Sequence, residues 1–278
     1  MTTTLRPTGP EEYGPDGARS RAYDICVNSR PVGIVRLATD EQFGPSAGRI
    51  TQLAVDERER RRGRATVAAL AAEEVLRGWG CDRIEAGIPE RAPAALRLAE
   101  TLGYRLRSRN MLKTLPETPP ELPRHSAVRT MTDDEFGQWR TRDREMLADT
   151  LAARGVPRAQ AEAKADAAHR TRLADGPSTP GAALRVLEHE GAPVGMFWAT
   201  VDAAPRPDAD AWVYAVEVDE EHRGRGHGRT LMHAAEAAAH AAGSRVLGLN
   251  VYAHNVPALR LYTALGYRNA EHHLYKPL

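Results

Sequence analysis

Three glycines at alternate positions, Gly224, Gly226 and Gly228, follow an apolar alternating run at 212–218 and open an alanine-rich stretch at about 229–242. That order reads as strand, turn and helix. The first amides of a helix lack intrahelical partners and sit at the positive end of its dipole. Glycine lets a ligand approach the backbone, so the stretch is suited to holding a diphosphate. It is not a Walker loop, because no Gly-Lys-Ser/Thr follows, and its glycine spacing does not fit the dinucleotide fingerprint. Backbone amides of 224–229 would do the holding, with Arg223 and Arg225 adding charge or simply facing solvent.

Downstream lie Leu249-Asn250-Val251, then Asn255, Ala258, Leu261-Tyr262 and Leu265-Gly266-Tyr267. With Arg223-Gly224-Arg225-Gly226-His227-Gly228, these residues resemble the Gcn5-related N-acetyltransferase (GNAT) superfamily. The first motif is similar to the family's Arg/Gln-x-x-Gly-x-Gly/Ala signature and the second to its Asn-x-x-Ala-x-x-Leu-Tyr helix followed by Leu-Gly-Phe/Tyr. The resemblance implies acetyl-CoA as co-substrate, with its diphosphate on Arg223, Gly224, Arg225, Gly226, His227, Gly228 and Arg229. It further implies that the pantetheine arm pairs as a strand with Val216, Glu217 and Val218, and that Asn255 contacts the cofactor. Tyr262 falls at the family's proton donor to the departing thiolate, and a phenol of ordinary pKa about 10 suits that role. Asn255 reads equally as a helix N-cap. The family's glutamate twelve residues before the tyrosine is Asn250 here, which cannot act as a base. On the central strand, alternation puts Tyr214 and Trp212 on the face of Val216 and Val218, and Glu217 on the other face unless a bulge re-aims it. Glu217 and Tyr214 are therefore secondary candidates, beside a water-mediated route. Glu145 and Asp149 could meet a cationic acceptor but read first as a solvated helix face.

The elements that position these residues are written twice. Val55-Asp56-Glu57 recurs as Val218-Asp219-Glu220, 163 residues on (55 to 218), and the same offset relates Ala95-Leu96-Arg97-Leu98 to Ala258-Leu259-Arg260-Leu261. It also relates Leu102-Gly103-Tyr104-Arg105 to Leu265-Gly266-Tyr267-Arg268, and Lys113 to Lys276. The fold expected is α/β: two tandem GNAT-like domains, each a mixed, mostly antiparallel sheet flanked by helices, packed as an intramolecular pseudo-dimer. A degenerate copy at 1–115 is joined by a proline-rich linker at 116–124 to a catalytic copy at 125–278. Strands are predicted at 22–27, 33–38, 50–55 and 83–88, and helices at 64–76 and from Pro93 to before Gly103. The second copy begins with a strand at 127–130, a cap at Thr132 and helices at 133–153 and 157–174. Strands follow at 182–189 and 193–202. The first copy lacks the helix pair that in the family helps wall the acceptor. At the same offset Tyr262 becomes Ala99, Asn255 becomes Ala92 and Glu217 becomes Ala54, so the first copy is expected to be catalytically silent.

Composition narrows the field. A net charge of +1 selects neither nucleic acid nor an anionic membrane. Lys113, Lys164 and Lys276 are the only lysines among 38 basic residues, which reads as biased coding. Cys26 and Cys81 form neither a disulfide framework nor a metal-spaced cluster, so no metal is expected. Without a signal core or a long apolar run, the expected setting is cytoplasmic. The activity expected is direct acetyl-CoA-dependent N-acetylation of a primary amine, a small molecule being favoured over a protein. The rival readings are a non-catalytic acyl-CoA-binding regulator and a same-fold transferase using another acyl-CoA or an aminoacyl-tRNA.

Overall fold

The computed structural model describes residues 2–14 and 17–278. Among them the chain runs β1 (Thr3–Pro7), β2 (Glu12–Tyr13), β3 (Arg19–Val27), β4 (Arg30–Asp40), β5 (Gly44–Val55), α1 (Arg64–Gly78), β6 (Arg83–Pro89), α2 (Pro93–Thr101) and β7 (Arg105–Thr114). It continues as β8 (Ser126–Thr130), α3 (Asp133–Ala152), α4 (Arg158–Arg172), β9 (Ala182–His189), β10 (Ala192–Thr200) and β11 (Ala211–Val218). The last elements are α5 (His227–Ala241), β12 (Val246–Tyr252), α6 (Val256–Ala264) and β13 (Arg268–Pro277). The α/β class and the duplicated plan read from the sequence are what the fold has.

Two compact units form. Unit 1 takes the chain up to Ser108 together with Ala153–Val156 and Glu271–Leu278; unit 2 takes Arg109–Ala152 and Pro157–Ala270. These are not the cuts at 115 and 125 drawn from the repeat. The end of β7, which the repeat assigns to the first copy, packs in unit 2, and the end of β13 packs in unit 1. Residues 116–124 form no helix or strand.

In unit 1 the strand order is β1-β3-β4-β5-β6-β13, with β2 against β3. Asn28 and Ser29 turn β3 into β4 with φ of 49° and 68°, the left-handed pair that matches the twist of a two-residue hairpin. The sequence missed β1 and β2, whose residues alternate too weakly to announce a strand. Pro93 opens α2 at a position where its missing N–H does no harm. The core gathers Tyr23, Val35, Leu37, Leu76, Ile84 and Leu274.

In unit 2 the order is β7-β12-β11-β10-β9-β8. Helix α5 covers one face through Leu231, Met232 and Ala235, which pack with Phe197, Val213 and Leu247. Helices α3 and α4 cover the other, where Phe136 and Trp139 meet Leu184, Met196 and Trp198. Thr132 starts α3 in a reciprocal capping box: its hydroxyl accepts from the Glu135 amide at 3.3 Å while its own amide donates to the Glu135 carboxylate at 2.8 Å.

The duplication extends to irregularities. In β5 the ladder to β4 skips Thr51, and in β11 the ladder to β10 skips Tyr214. The two bulges are 163 residues apart (51 to 214), so each copy's central strand bends at one equivalent place. No helix among the described residues is long and apolar enough to cross a membrane.

Candidate active site

Beyond its bulge β11 parts from its parallel neighbour. The pairing to β12 covers Ala211↔Leu247, Trp212↔Gly248 and Val213↔Leu249, while β11 runs on to Val218 and β12 to Tyr252. On its other edge β11 stays paired to β10 as far as Gly195↔Val218. The segment Tyr214 to Val218 thus turns one backbone edge toward the gap. Backbone donors and acceptors at such an edge are suited to an extended, amide-bearing ligand. Gly248 allows Trp212 to lie across β12: a Cβ there would fall 2.3 Å from the indole.

The open strand leads into the start of α5. Gly224 and Gly226 have φ of 77° and 90°, left-handed values that cost a side chain about 1–2 kcal/mol. Gly226 is the N-cap, and no side chain caps the helix. The Arg223 Nε donates to the Val218 carbonyl at 3.2 Å, and Arg60 does the same to Val55 at 2.9 Å. Arg223 is therefore a clip fixing the turn to the strand. Arg225 and Arg229 are exposed beside the cradle. His227 contributes backbone; its buried ring stands 5.0 Å from that of His189 and 6.2 Å from that of His222. Burial, then those two rings and Arg225, push its pKa down, which favours the neutral imidazole. The separated positions 189, 222 and 227 gave no sequence signal for this trio. Gly228 answers to packing, since a Cβ there would lie 3.3 Å from the Leu261 side chain of α6.

Helix α6 brings the phenol. Asn255 is its N-cap, its Oδ1 accepting from the Ala258 amide at 3.2 Å. Tyr262 is half-buried in the cluster that holds Val216, Val218 and Leu261, with its ring 6.0 Å from that of Tyr267. Burial pushes its pKa up to about 12. Asn250, at the place of the family's glutamate, donates to the Asn110 Oδ1 at 2.8 Å.

The two secondary candidates lie together, Glu217 on the face where alternation put it and Tyr214 on the face opposite the one expected. The bulge removes Tyr214 from the face of Val216 and Val218. Those valines join the cluster under α5, whereas Tyr214 and Ala215 join the cluster under α3. Glu217 faces α3 as alternation requires, its Oε1 accepting from the Trp139 Nε1 at 3.2 Å. Burial raises its pKa, with Asp143 adding to the rise, against the Trp139 bond and Arg142. Tyr214 stacks on Trp198 at 4.6 Å, with the Arg172 guanidinium 5.0 Å from its centroid. Trp198 is buried and its Nε1 has no hydrogen-bond partner among the described residues. Trp139 was not singled out in the sequence, because a tryptophan on a helix gives no sign of which carboxylate it will reach. Of the acidic residues on α3, Asp149 pairs with Arg158 and Glu145 is exposed. Among the described residues no group of His, Cys, Asp and Glu could hold a metal.

Unit 1 keeps the same backbone without these side chains. Strands β5 and β6 pair over Ala47–Arg49 and then part. The turn survives with Arg61 at φ 58° and Gly63 at 75°, an arginine holding the conformation for which unit 2 uses Gly224. In the gap lies an apolar cavity of about 260 Å³ lined by Leu53, Ile88, Ala92, Ala95 and Ala99. Ala92 and Ala99 stand where unit 2 has Asn255 and Tyr262, so the framework persists without those two polar side chains.

The fold is that of a duplicated acyltransferase unit. A model of the acetyltransferase (GNAT) family matches residues 5–104 and again 144–267, and the chain belongs to that family, carrying its domain in tandem. The chain is 34% identical over 79 residues to the uncharacterized N-acetyltransferase YycN of Bacillus subtilis, a match covering 28% of this chain and about half, 49%, of that protein. It is 25% identical over 139 residues to the uncharacterized N-acetyltransferase YdgE of the same organism, covering 49% of this chain and 88% of YdgE. In fold it is similar to a GCN5-related N-acetyltransferase from Sphaerobacter thermophilus (TM-score 0.57, 20% identity, 92% of this chain and 80% of that one). It is also similar to a tandem GNAT protein from the clavulanic acid biosynthesis pathway (TM-score 0.50, 20% identity, 95% and 85%).

Proposed function

We propose that unit 2 transfers an acetyl group from acetyl-CoA directly to a primary amine of a small molecule. The observation that carries this is the departure of β11 from β12 after Val213, which opens a backbone edge running into the uncapped start of α5 with Tyr262 in the same cluster. The cradle amides of residues 224–229 take the diphosphate and the edge of Val216–Val218 takes the pantetheine amides. The neutral amine attacks the thioester carbonyl: a C–N bond forms, the C–S bond breaks, the ammonium proton leaves toward Glu217 through water, and Tyr262 protonates the departing sulfur. Developing charge met by fixed donors is the largest source of rate in such reactions. Asn255 serves the helix as its cap and flanks the cofactor edge. Unit 1 is the silent partner, since Ala54, Ala92 and Ala99 offer no proton donor or acceptor.

Calorimetry with acetyl-CoA and CoA, together with a thiol-release assay over a panel of amines, tests the proposal. Binding with turnover on at least one amine supports it. Binding without turnover on any amine favours an acyl-CoA-binding regulator, and failure to bind any CoA thioester favours an aminoacyl-tRNA donor. One variant isolates the cradle. Gly226→Val places a β-branched residue at φ 90° and is expected to weaken acetyl-CoA binding by about tenfold or more, with a stability loss of only about 1–2 kcal/mol. An unchanged dissociation constant in calorimetry would remove the turn from its role.

A further inference from the structure

Two of the three lysines in the chain occupy equivalent half-buried positions, each in the unit built mainly from the other copy. The Lys113 Nζ donates to both oxygens of Glu236, at 2.7 and 2.8 Å, inside unit 2. The Lys276 Nζ donates to Glu73 at 2.7 Å inside unit 1. Glu236 is 0% exposed and Glu73 2%. Each ammonium also lies over a buried tyrosine ring, Lys113 at 5.6 Å from Tyr267 and Lys276 at 5.7 Å from Tyr104. The strand ends repeat the pattern: the Leu115 amide donates to Arg245 and the Leu278 amide to Asp82, both at 2.8 Å. All these pairs are related by the offset of 163. Each copy has therefore given its last strand, and with it a lysine, to the other.

The two pockets differ in what rests on them. The Tyr267 amide donates to the Tyr262 carbonyl at 3.0 Å, and its ring lies 6.0 Å from that of Tyr262. The Tyr104 amide makes the same 3.0 Å bond to Ala99, which carries no phenol. Without Lys113 the Glu236 carboxyl loses the ammonium that donates to both its oxygens, and Tyr267 loses the cation over its ring, so the pocket on which Tyr267 sits loses the contact that ties it together whether or not Glu236 keeps its charge. We propose that Lys113, supplied by the first copy, is a positioning residue for the reaction in unit 2, acting through Glu236 and Tyr267 on Tyr262. The catalytic unit is then incomplete without the strand that precedes the linker. This rests on the function proposed above for Tyr262, and Lys276 is its internal control.

The test uses the full chain carrying Lys113→Met, Lys276→Met, Lys113→Arg or the double change Lys113→Met with Glu236→Gln, which removes the buried charge along with its partner. Amide hydrogen exchange is read at Tyr267 and Tyr104, and turnover beside acetyl-CoA affinity. Lys113→Met is expected to speed exchange at Tyr267 by about tenfold or more and leave Tyr104 nearly unchanged, with Lys276→Met doing the reverse. Turnover is expected to fall about tenfold in Lys113→Met and in the double variant, with acetyl-CoA affinity within about threefold, to recover in Lys113→Arg, and to stay within about twofold in Lys276→Met. Equal losses of turnover in the two Met variants, wild-type turnover in the double variant, or uncrossed exchange would overturn the proposal. Should the wild type acetylate no amine, the function of unit 2 is what fails, and the exchange pattern still decides the link from Lys113 to Tyr262.

Discussion

Replacing Tyr262 by phenylalanine is expected to lower turnover by about 10²–10³-fold while leaving acetyl-CoA affinity within about threefold, the range typical of losing one general acid. The ring packs with Val216, Val218 and Leu261, so phenylalanine keeps the contacts and loses only the proton. Burial holds the phenol up at about 12, which keeps it protonated at physiological pH and so able only to donate. A phenol that high is a poor acid toward an aqueous thiolate. In the reaction proposed, the same low-polarity surroundings would also raise the basicity of a thiolate forming beside it, because desolvation penalises every anion in the site. Donation therefore begins as negative charge gathers on sulfur and need not be complete beforehand. Steady-state turnover at saturating acetyl-CoA, beside calorimetric affinity, checks this. A phenylalanine variant as fast as the wild type would leave the thiolate to leave unaided.

Much of this architecture could be read from residue order because the signals were local. The reciprocal cap of Thr132 and Glu135, Pro93 at the start of α2 and the glycine turn before α5 each declare themselves within a few residues. The fixed offset of 163 added what local signals could not, the duplication and the loss of Tyr262 and Asn255 as Ala99 and Ala92. Tyr214 shows the limit. Nothing in an alternating apolar run marks which residue will be skipped by its neighbour's ladder, yet that one bulge decides the face on which Tyr214 stands. The exchanged strands were illegible for a related reason. Lys113 matched Lys276 in the repeat, but a repeat states equivalence and is silent about which carboxylate, Glu73 or Glu236, each lysine meets across more than a hundred residues. Trp139 belongs with them, since its hydrogen bond to Glu217 depends on how α3 lies on the sheet.

That bond shapes the second large effect. Glu217→Gln is expected to cut kcat/KM by about 10²-fold at neutral pH, as for removal of a general base. It is not expected to cost stability, because the Gln carbonyl can still accept from the Trp139 Nε1. Burial, with Asp143 nearby, raises the Glu217 pKa above the usual carboxylate value. In the role proposed for it the working form is the carboxylate, so wild-type kcat/KM should rise with pH through that raised value, and the glutamine variant should lose this limb. The stability sign runs the other way. Between the ordinary and the raised pKa the folded state holds a proton that the unfolded state has released, so the wild type loses stability as pH rises through that window. The variant lacks this slope and should melt at or above the wild-type temperature near neutral pH. Rate profiles from about pH 5 to 9 and parallel melting curves check both halves. A glutamine variant that keeps the wild-type limb would return Glu217 to a structural role beneath α3 and leave the amine proton to water alone.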